Sequence, residues 1–471
     1  MPSPTASEPE PSPTEPGLAP RSVESLLAHL IVDTPGSAMG ADARRAATRQ
    51  VLDAIGVTLA ATREPAGQAV LAATRRTGSG DQARVLGTAL RCSVLDAAWT
   101  NGSLCHLIDF DDTGFSHPTA CIMPAAVAVG EWLGARGSDV LEAIILGYEV
   151  FERLAASARP VEPELRERGI HPTSIWGAPA AAAATGRLLG LDVEQVTVAL
   201  GIAATGAAGL TQQFGSWGKG INAGNAARGG VQAAILAAEG LRGAPDAISG
   251  RYGLFTAVVG LGRCDLSGVA RDLGQRWSVV EPGLGIKRFP ACTSTLRAVD
   301  AMLQLATAEG YDPAAVERIV VDVHPDLLHT LRFRRPSLGF NGKFSLDYTV
   351  AAAALDRGLT IETFSDEAAT RPAFRAMLER VELREHPEWP LARRYETPVT
   401  VELADGTVRA ASVPAFRGSF AAKLSDDEVR AKYLSTSARA LPAERASRSA
   451  EAIWALDTAD DLGSLLDLLA V

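Results

Sequence analysis

Apolar residues recur at three- and four-residue steps over most of the first 260 positions. Ala41 to Thr62, Ser93 to Ile108, Asp139 to Ala158 and Asp192 to Ala204 each carry this spacing, with Gly or Pro between them, so the pattern predicts a succession of helices. Strand signals begin only after Gly283. Val316 to Val323 is β-branched and apolar, and Val399, Val401 and Leu403 alternate before an Asp405-Gly406 turn and a return strand from Thr407. Asp426 to Leu434 and Ala446 to Ala470 read as helix again. The expected fold is mainly α. Residues 21–283 form a large all-helical domain, 284–413 a smaller α+β lid domain, and 414–471 C-terminal helices that return to the helical domain. Residues 1–20 hold seven prolines among Ser, Thr and Glu and are expected to be a disordered tail.

Composition sharpens this picture in two respects. Aromatic residues are only 6% of the chain, whereas glycine reaches 44 and alanine runs such as Ala180 to Ala184 recur. Much of the core must therefore be built from small side chains in closely approaching helices. The net charge of −10 disfavours binding to a phosphate backbone, so no nucleic-acid partner is expected. No apolar run approaches the roughly 18–20 residues of a membrane span, and the start shows no basic-then-apolar leader. A cytoplasmic chain without a membrane partner is the expectation. Cys92, Cys105, Cys121, Cys264 and Cys292 form no C-x-x-C pair, which suits reduced thiols and no structural metal.

Candidate chemistry is concentrated in five segments. In DFDDTGFSHP, Asp109, Asp111 and Asp112 follow the end of a predicted helix, where the macrodipole disfavours negative charge. A solvated acidic loop and a Mg²⁺ site are both compatible with that triplet, although no second acidic element accompanies it. His-Pro-Thr occurs at His117 and again at His171, placing both imidazoles near helix starts, where the dipole keeps them neutral and attracts an anion. Lys219 is the first charge in the glycine-rich stretch from Gly206; no P-loop spacing is present, and a helix is expected from about Asn222. Lys287-Arg288 sits at the expected domain seam as a carboxylate clamp or a basic surface turn. Tyr348 precedes an alanine-rich helix, as a buried tyrosine or an acid.

In this order, six segments resemble the MmgE/PrpD family. They are Asn101-Gly102 with DFDDT…HP, Gly147-Tyr148-Glu149, HPTSIWGAPAAAAATGRLLGL, KGINAGNAARGG, KRFPAC and KFSLDY. The resemblance runs from about Val23 to Arg384. It implies a homodimer with a metal-free, cofactor-free site in the cleft between a helical domain and its lid. Family active-site positions fall on Asp109, Thr113, His117, His171, Lys219, Lys287 and Tyr348. Two positions depart from many members, Asn222 and Leu296, each standing where a histidine is common.

The implied activity is that of a lyase on a small di- or tricarboxylic acid, with proton transfer at the carbon next to a carboxylate. His171, Lys219, Asp109, His117 and Tyr348 are the catalytic candidates; Thr113, Lys287, Arg288 and Asn222 are the substrate-binding ones. Dehydration of the 2-methylcitrate type is the expected outcome, with cis-aconitate-type decarboxylation and iminodisuccinate-type epimerisation as alternatives. A helical scaffold without catalysis and a Mg²⁺-dependent enzyme of terpene-synthase type are the competing classes.

Overall fold

The computed structural model describes residues 22–263 and 265–471; the expected tail over 1–20 lies outside these. The fold is a large helical domain assembled from both chain ends, with a smaller α+β lid. The main helical core runs from Val23 to Ile286 and takes in Leu424, Val429, Tyr433, Ile453 and Leu469 from the far end of the chain. The lid has its own core between Phe289 and Phe416.

At the centre of the helical domain, helix Gly218–Ala238 packs against Val94–Leu107 and Pro172–Leu188. Small residues make that approach possible. A Cβ on Gly224 would collide with Trp99 O and Ser103 Oγ, and one on Gly230 with Ala181. The alanine and glycine content thus serves close helix contact, which holds the residues at these helix ends in fixed relation. Helix Asp426–Ser437, started by a Ser425/Glu428 capping box, lies along Ala41–Ala61 with Tyr433 and Thr436 against Gly56.

The lid sheet has four strands in the order Val381–Glu385, Val316–Val323, Val399–Leu403 and Val408–Ala411. The first pair is parallel, the others antiparallel. The Asp405-Gly406 turn closes as a hairpin: Gly406 takes φ 84°, and Leu403 N donates to Thr407 O at 2.9 Å. Two short ladders fall outside this sheet and correct the reading of an all-helical first domain. Ala83–Arg84 pairs with Arg91–Cys92, and Asp112–Thr113 pairs with Gly285–Ile286. Two-residue ladders are too short to leave a periodicity. The second of them fastens the aspartate segment to the strand that leads into Lys287.

Candidate active site

Helix Val94–Leu107 stops at Ile108, and Asp109 turns the chain with φ 55°, a left-handed conformation that Asn, Asp and His adopt more readily than other non-glycine residues. Lys287 fixes this turn from below, its Nζ donating to Asp109 O at 3.2 Å and Oδ1 at 2.7 Å. Lys219 Nζ donates to the same Oδ1 at 2.7 Å. It does so from the first turn of helix Gly218–Ala238, which begins earlier than the sequence suggests, so Lys219 is held by a helix and not by a loop. Burial alone would push the Asp109 carboxyl up, but the Lys219 and Lys287 ammoniums overcome it and hold the group well below the usual carboxylate range.

The whole aspartate triplet is buried, which removes the solvated-loop reading. Asp111 and Asp112 are adjacent and cannot both ionise at low cost. Burial opposes charge on Asp111, yet the hydrogen bond donated by His106 and the nearby Lys287 ammonium favour its ionised form, and its pKa is lowered. Burial and the Asp111 charge push Asp112 well up, so it is the protonated member. Asp112 Oδ2 also accepts from Thr119 N and Oγ1 at 3.1 and 2.7 Å, tying the triplet to helix Thr119–Leu133.

Three imidazoles surround these acids. His106 and His117 have ring centroids 4.8 Å apart, and His106 and His171 5.6 Å apart. Burial, reinforced by Lys219 or Lys287, lowers the pKa of all three, so all are neutral near pH 7. Their tautomers follow from the partner of each Nδ1. His117 Nδ1 faces the Asp112 carbonyl at 2.7 Å and His106 Nδ1 faces Asp111 Oδ2 at 2.7 Å; both must donate there, which leaves each Nε2 a lone pair. His171 is the opposite case. Its Nδ1 accepts from Asn222 Nδ2 at 2.9 Å, so its hydrogen is on Nε2, which is buried and has no protein partner. His171 is also the N-cap residue of Pro172–Leu188, with Pro172 in the first helical turn.

A cavity of about 480 Å³ lies between helical domain and lid, and Asp109, Thr113, His117, His171 and Lys219 all line it. These five are separated by up to 110 positions in sequence and meet in one wall. Lys219 and His171 share contact with Phe214, the ammonium 5.7 Å from the ring centroid and the imidazole 4.9 Å away edge-on. Thr113 Oγ1 accepts from Thr293 Oγ1 at 3.1 Å, bringing lid and helical domain together at the rim.

Four sequence candidates stand elsewhere. Tyr348 is in the lid core, its hydroxyl donating to Thr363 O at 2.6 Å and its ring against Phe364 and Phe374; burial pushes its phenol up, away from proton release. Arg288 is half-exposed over the Phe289 ring, 3.9 Å from Asp300. It lies in a bend just beyond the short strand Gly285–Ile286, exposed where the preceding Lys287 is buried. Lys287 itself is fully buried behind Asp109, where the carboxylate it clamps is the protein's own. Asn222 stands against His171 and not in the cavity wall.

Several groups had no sequence signal strong enough to single them out. His106 is one of several polar residues on helix Val94–Leu107, with no proline or repeated motif beside it. Lys432 reaches in from the C-terminal helices to pair with Asp53 at 2.6 Å and to donate to Phe110 O at 2.6 Å. Arg159, Arg166, Arg297 and Arg394 also line the cavity. His106, Asp111 and His117 place donor atoms within 4.8 Å of one another, a spacing a metal ion can use. Lys287 Nζ, however, lies 3.7 Å from Asp111 Oδ1 and already supplies the compensating positive charge.

Comparison with known proteins places this site in context. Residues 25–266 match the MmgE/PrpD N-terminal domain and residues 289–458 the MmgE/PrpD C-terminal domain. The chain belongs to the MmgE/PrpD family. It is 27% identical over 441 residues to the cis-aconitate decarboxylase of Mus musculus, covering 90% of this chain and 88% of the mouse protein. To the cis-aconitate decarboxylase of Aspergillus terreus it is 26% identical over 488 residues, covering 95% and 96%. To the 2-methylcitrate dehydratase of Salmonella typhimurium it is 25% identical over 390 residues, covering 76% and 78%. Both family domains contribute to the cavity, the first supplying Asp109 through Lys219 and the second Cys292 through Ala421.

Proposed function

We propose that the protein is a lyase acting on a small polycarboxylic acid by proton transfer at the carbon next to a carboxylate, and that its reaction is decarboxylation of a cis-aconitate-type acid. The observation that carries this reading is the tautomer of His171. A neutral imidazole whose Nδ1 is occupied by Asn222 offers Nε2–H, a proton donor, beside the Asp109–Lys219 pair. When the bond to the departing carboxylate breaks, its electron pair passes to carbon conjugated with a retained carboxylate, and the developing charge is offset by Lys219. Carbon dioxide leaves, His171 delivers its Nε2 proton to that carbon, and the imidazolate so formed, offset by the Lys219 ammonium, regains a proton from water. Near-full-length similarity to cis-aconitate decarboxylases supports this direction. Tyr348, sequestered in the lid core, leaves the acid role to His171.

One observation favours a second reading, dehydration of the 2-methylcitrate type. His117 presents the opposite tautomer, with a lone pair on Nε2. A base and an acid on two imidazoles are what removal of a proton and a hydroxyl requires. Incubation with cis-aconitate and with 2-methylcitrate, followed by product mass, separates the two. The primary reading expects cis-aconitate to lose carbon dioxide. Loss of water from 2-methylcitrate with cis-aconitate untouched would transfer the assignment to the second reading, and inertness toward both would overturn the lyase proposal.

A further inference from the structure

The cations of the cavity wall differ in what they already hold. Lys219 is committed to Asp109. Arg166 Nε donates to Glu162 Oε1 at 2.6 Å and Arg394 Nη2 to Glu162 Oε2 at 2.5 Å, so these two share one internal carboxylate. Arg159 is exposed and lies over the Phe115 ring. Arg297, in the first turn of lid helix Leu296–Ala306, is different. Its Nη1 donates to Tyr395 O at 2.9 Å and its guanidinium lies 5.8 Å from the centroid of that tyrosine ring. Its Nε is buried with no acceptor, and among the described residues no carboxylate lies within ion-pair distance of it. A partly buried guanidinium with an unfilled donor, in the wall of a cavity, is a half-made fork for a carboxylate.

We propose that Arg297 binds the substrate carboxylate remote from the reacting carbon and thereby selects acids with two or more carboxylates. The acid–base cluster supports the same conclusion, because its buried ammoniums are matched by buried carboxylates and leave no free cation for a second anionic group. The inference rests on the lyase reading only in taking a polycarboxylate as ligand. Arg297 is a specificity residue, and its loss acts on binding and not on the proton-transfer step.

The test titrates wild type, Arg297→Met and Arg297→Lys, as full chains, with tricarballylate, an unreactive tricarboxylate, and with inorganic phosphate. Tricarballylate is expected to bind wild type more tightly than phosphate does. Arg297→Met should weaken tricarballylate by about 30- to 100-fold, and Arg297→Lys by less than tenfold. In turnover, Arg297→Met should raise KM while kcat stays within a few-fold. Arg297→Met binding tricarballylate within threefold of wild type overturns the inference, as does equal loss of equally tight phosphate, which marks a general anion site. Phenylglyoxal labelling of wild type does not depend on variant folding: tricarballylate should protect Arg297, and unchanged labelling overturns the inference. If wild type turns over no acid yet Arg297→Met loses tricarballylate, Arg297 stands and the lyase reading falls. Turnover with unaltered binding in Arg297→Met gives the converse.

Discussion

Replacing Lys287 with Met tests whether this lysine is a substrate-binding group or part of the foundation under Asp109. Its Nζ lies 2.7 Å from Asp109 Oδ1, both side chains essentially inaccessible. At an effective dielectric of about 20 that separation corresponds to roughly 6 kcal/mol of attraction, part of which is offset by desolvation of the ammonium. Removing one partner of a buried pair costs about 3–5 kcal/mol because the other charge stays buried. Here Lys219 still holds the same oxygen, so the expected loss is at the lower end, about 3 kcal/mol. Urea unfolding of the full chain, followed by circular dichroism, reads this as a lower midpoint at unchanged slope. The decisive comparison is the Asp109→Asn background. There Lys287 is a buried cation deprived of its main partner, so Lys287→Met should cost less than about 1 kcal/mol or become stabilising. An equal cost in both backgrounds would refute the argument. So would a stable Lys287→Met enzyme whose only defect is a higher KM, since that is the behaviour of a substrate clamp.

Three further outcomes follow from the same geometry. Asn222→Asp places an acceptor at His171 Nδ1 and moves the hydrogen off Nε2; kcat should fall by about 10²-fold or more with KM little changed, and steady-state kinetics showing an unaltered kcat would reject the tautomer assignment. Glu152 lies buried beneath Gly114, and burial pushes its carboxyl up to about 7. The folded state therefore binds its proton more strongly than the unfolded state, and the stability this confers is lost as pH rises from about 4.5 through about 7. Glu152→Gln should gain on wild type by about 3 kcal/mol between pH 5 and pH 8, and a pH-independent difference in unfolding midpoints would contradict it. Because Lys287 already compensates Asp111, exhaustive treatment with a chelator should leave turnover unchanged; loss of activity restored by a divalent ion would show that His106, Asp111 and His117 hold a metal.

What could be read from the sequence depended on whether a residue's partners were close along the chain. The Asp405-Gly406 hairpin and strand Val316–Val323 were legible because turn chemistry and alternation are local signals. His117 and His171 were legible through their prolines, which mark helix starts. The aspartate triplet was ambiguous for a definite reason: its compensating cations Lys219 and Lys287 lie 110 and 178 residues from Asp109, and without them an acidic run reads as solvated. Tyr348 and Arg288 stood in segments with motif context, but which way each side chain faces is set by packing in the lid, Tyr348 against Phe364 and Phe374 and Arg288 over Phe289. Arg297 carried no local pattern at all, since what distinguishes it is that, among the described residues, no carboxylate pairs with it.

Lys432 shows why both ends of the chain are needed to make this site. It lies 322 residues from Phe110, whose carbonyl it holds, and its ammonium stands 3.9 Å from the centroid of the same phenyl ring. Phe110 is the residue between Asp109 and Asp111, so the C-terminal helix grips the aspartate segment at its centre. The charges agree with this placement. With Asp112 protonated, Asp109, Asp111 and Asp53 oppose Lys219, Lys287 and Lys432. Asp53 is the soft member, pushed up by burial to about 6 although Lys432 lies against it. Without Lys432, Asp53 would take up a proton and the grip on Phe110 would be lost together, while Asp109 and Asp111 would still balance Lys219 and Lys287. The packing of Asp426–Ser437 on Ala41–Ala61 therefore does more than complete a core: it fixes the backbone that carries Asp109, which lines the cavity, and Asp111, which bonds His106.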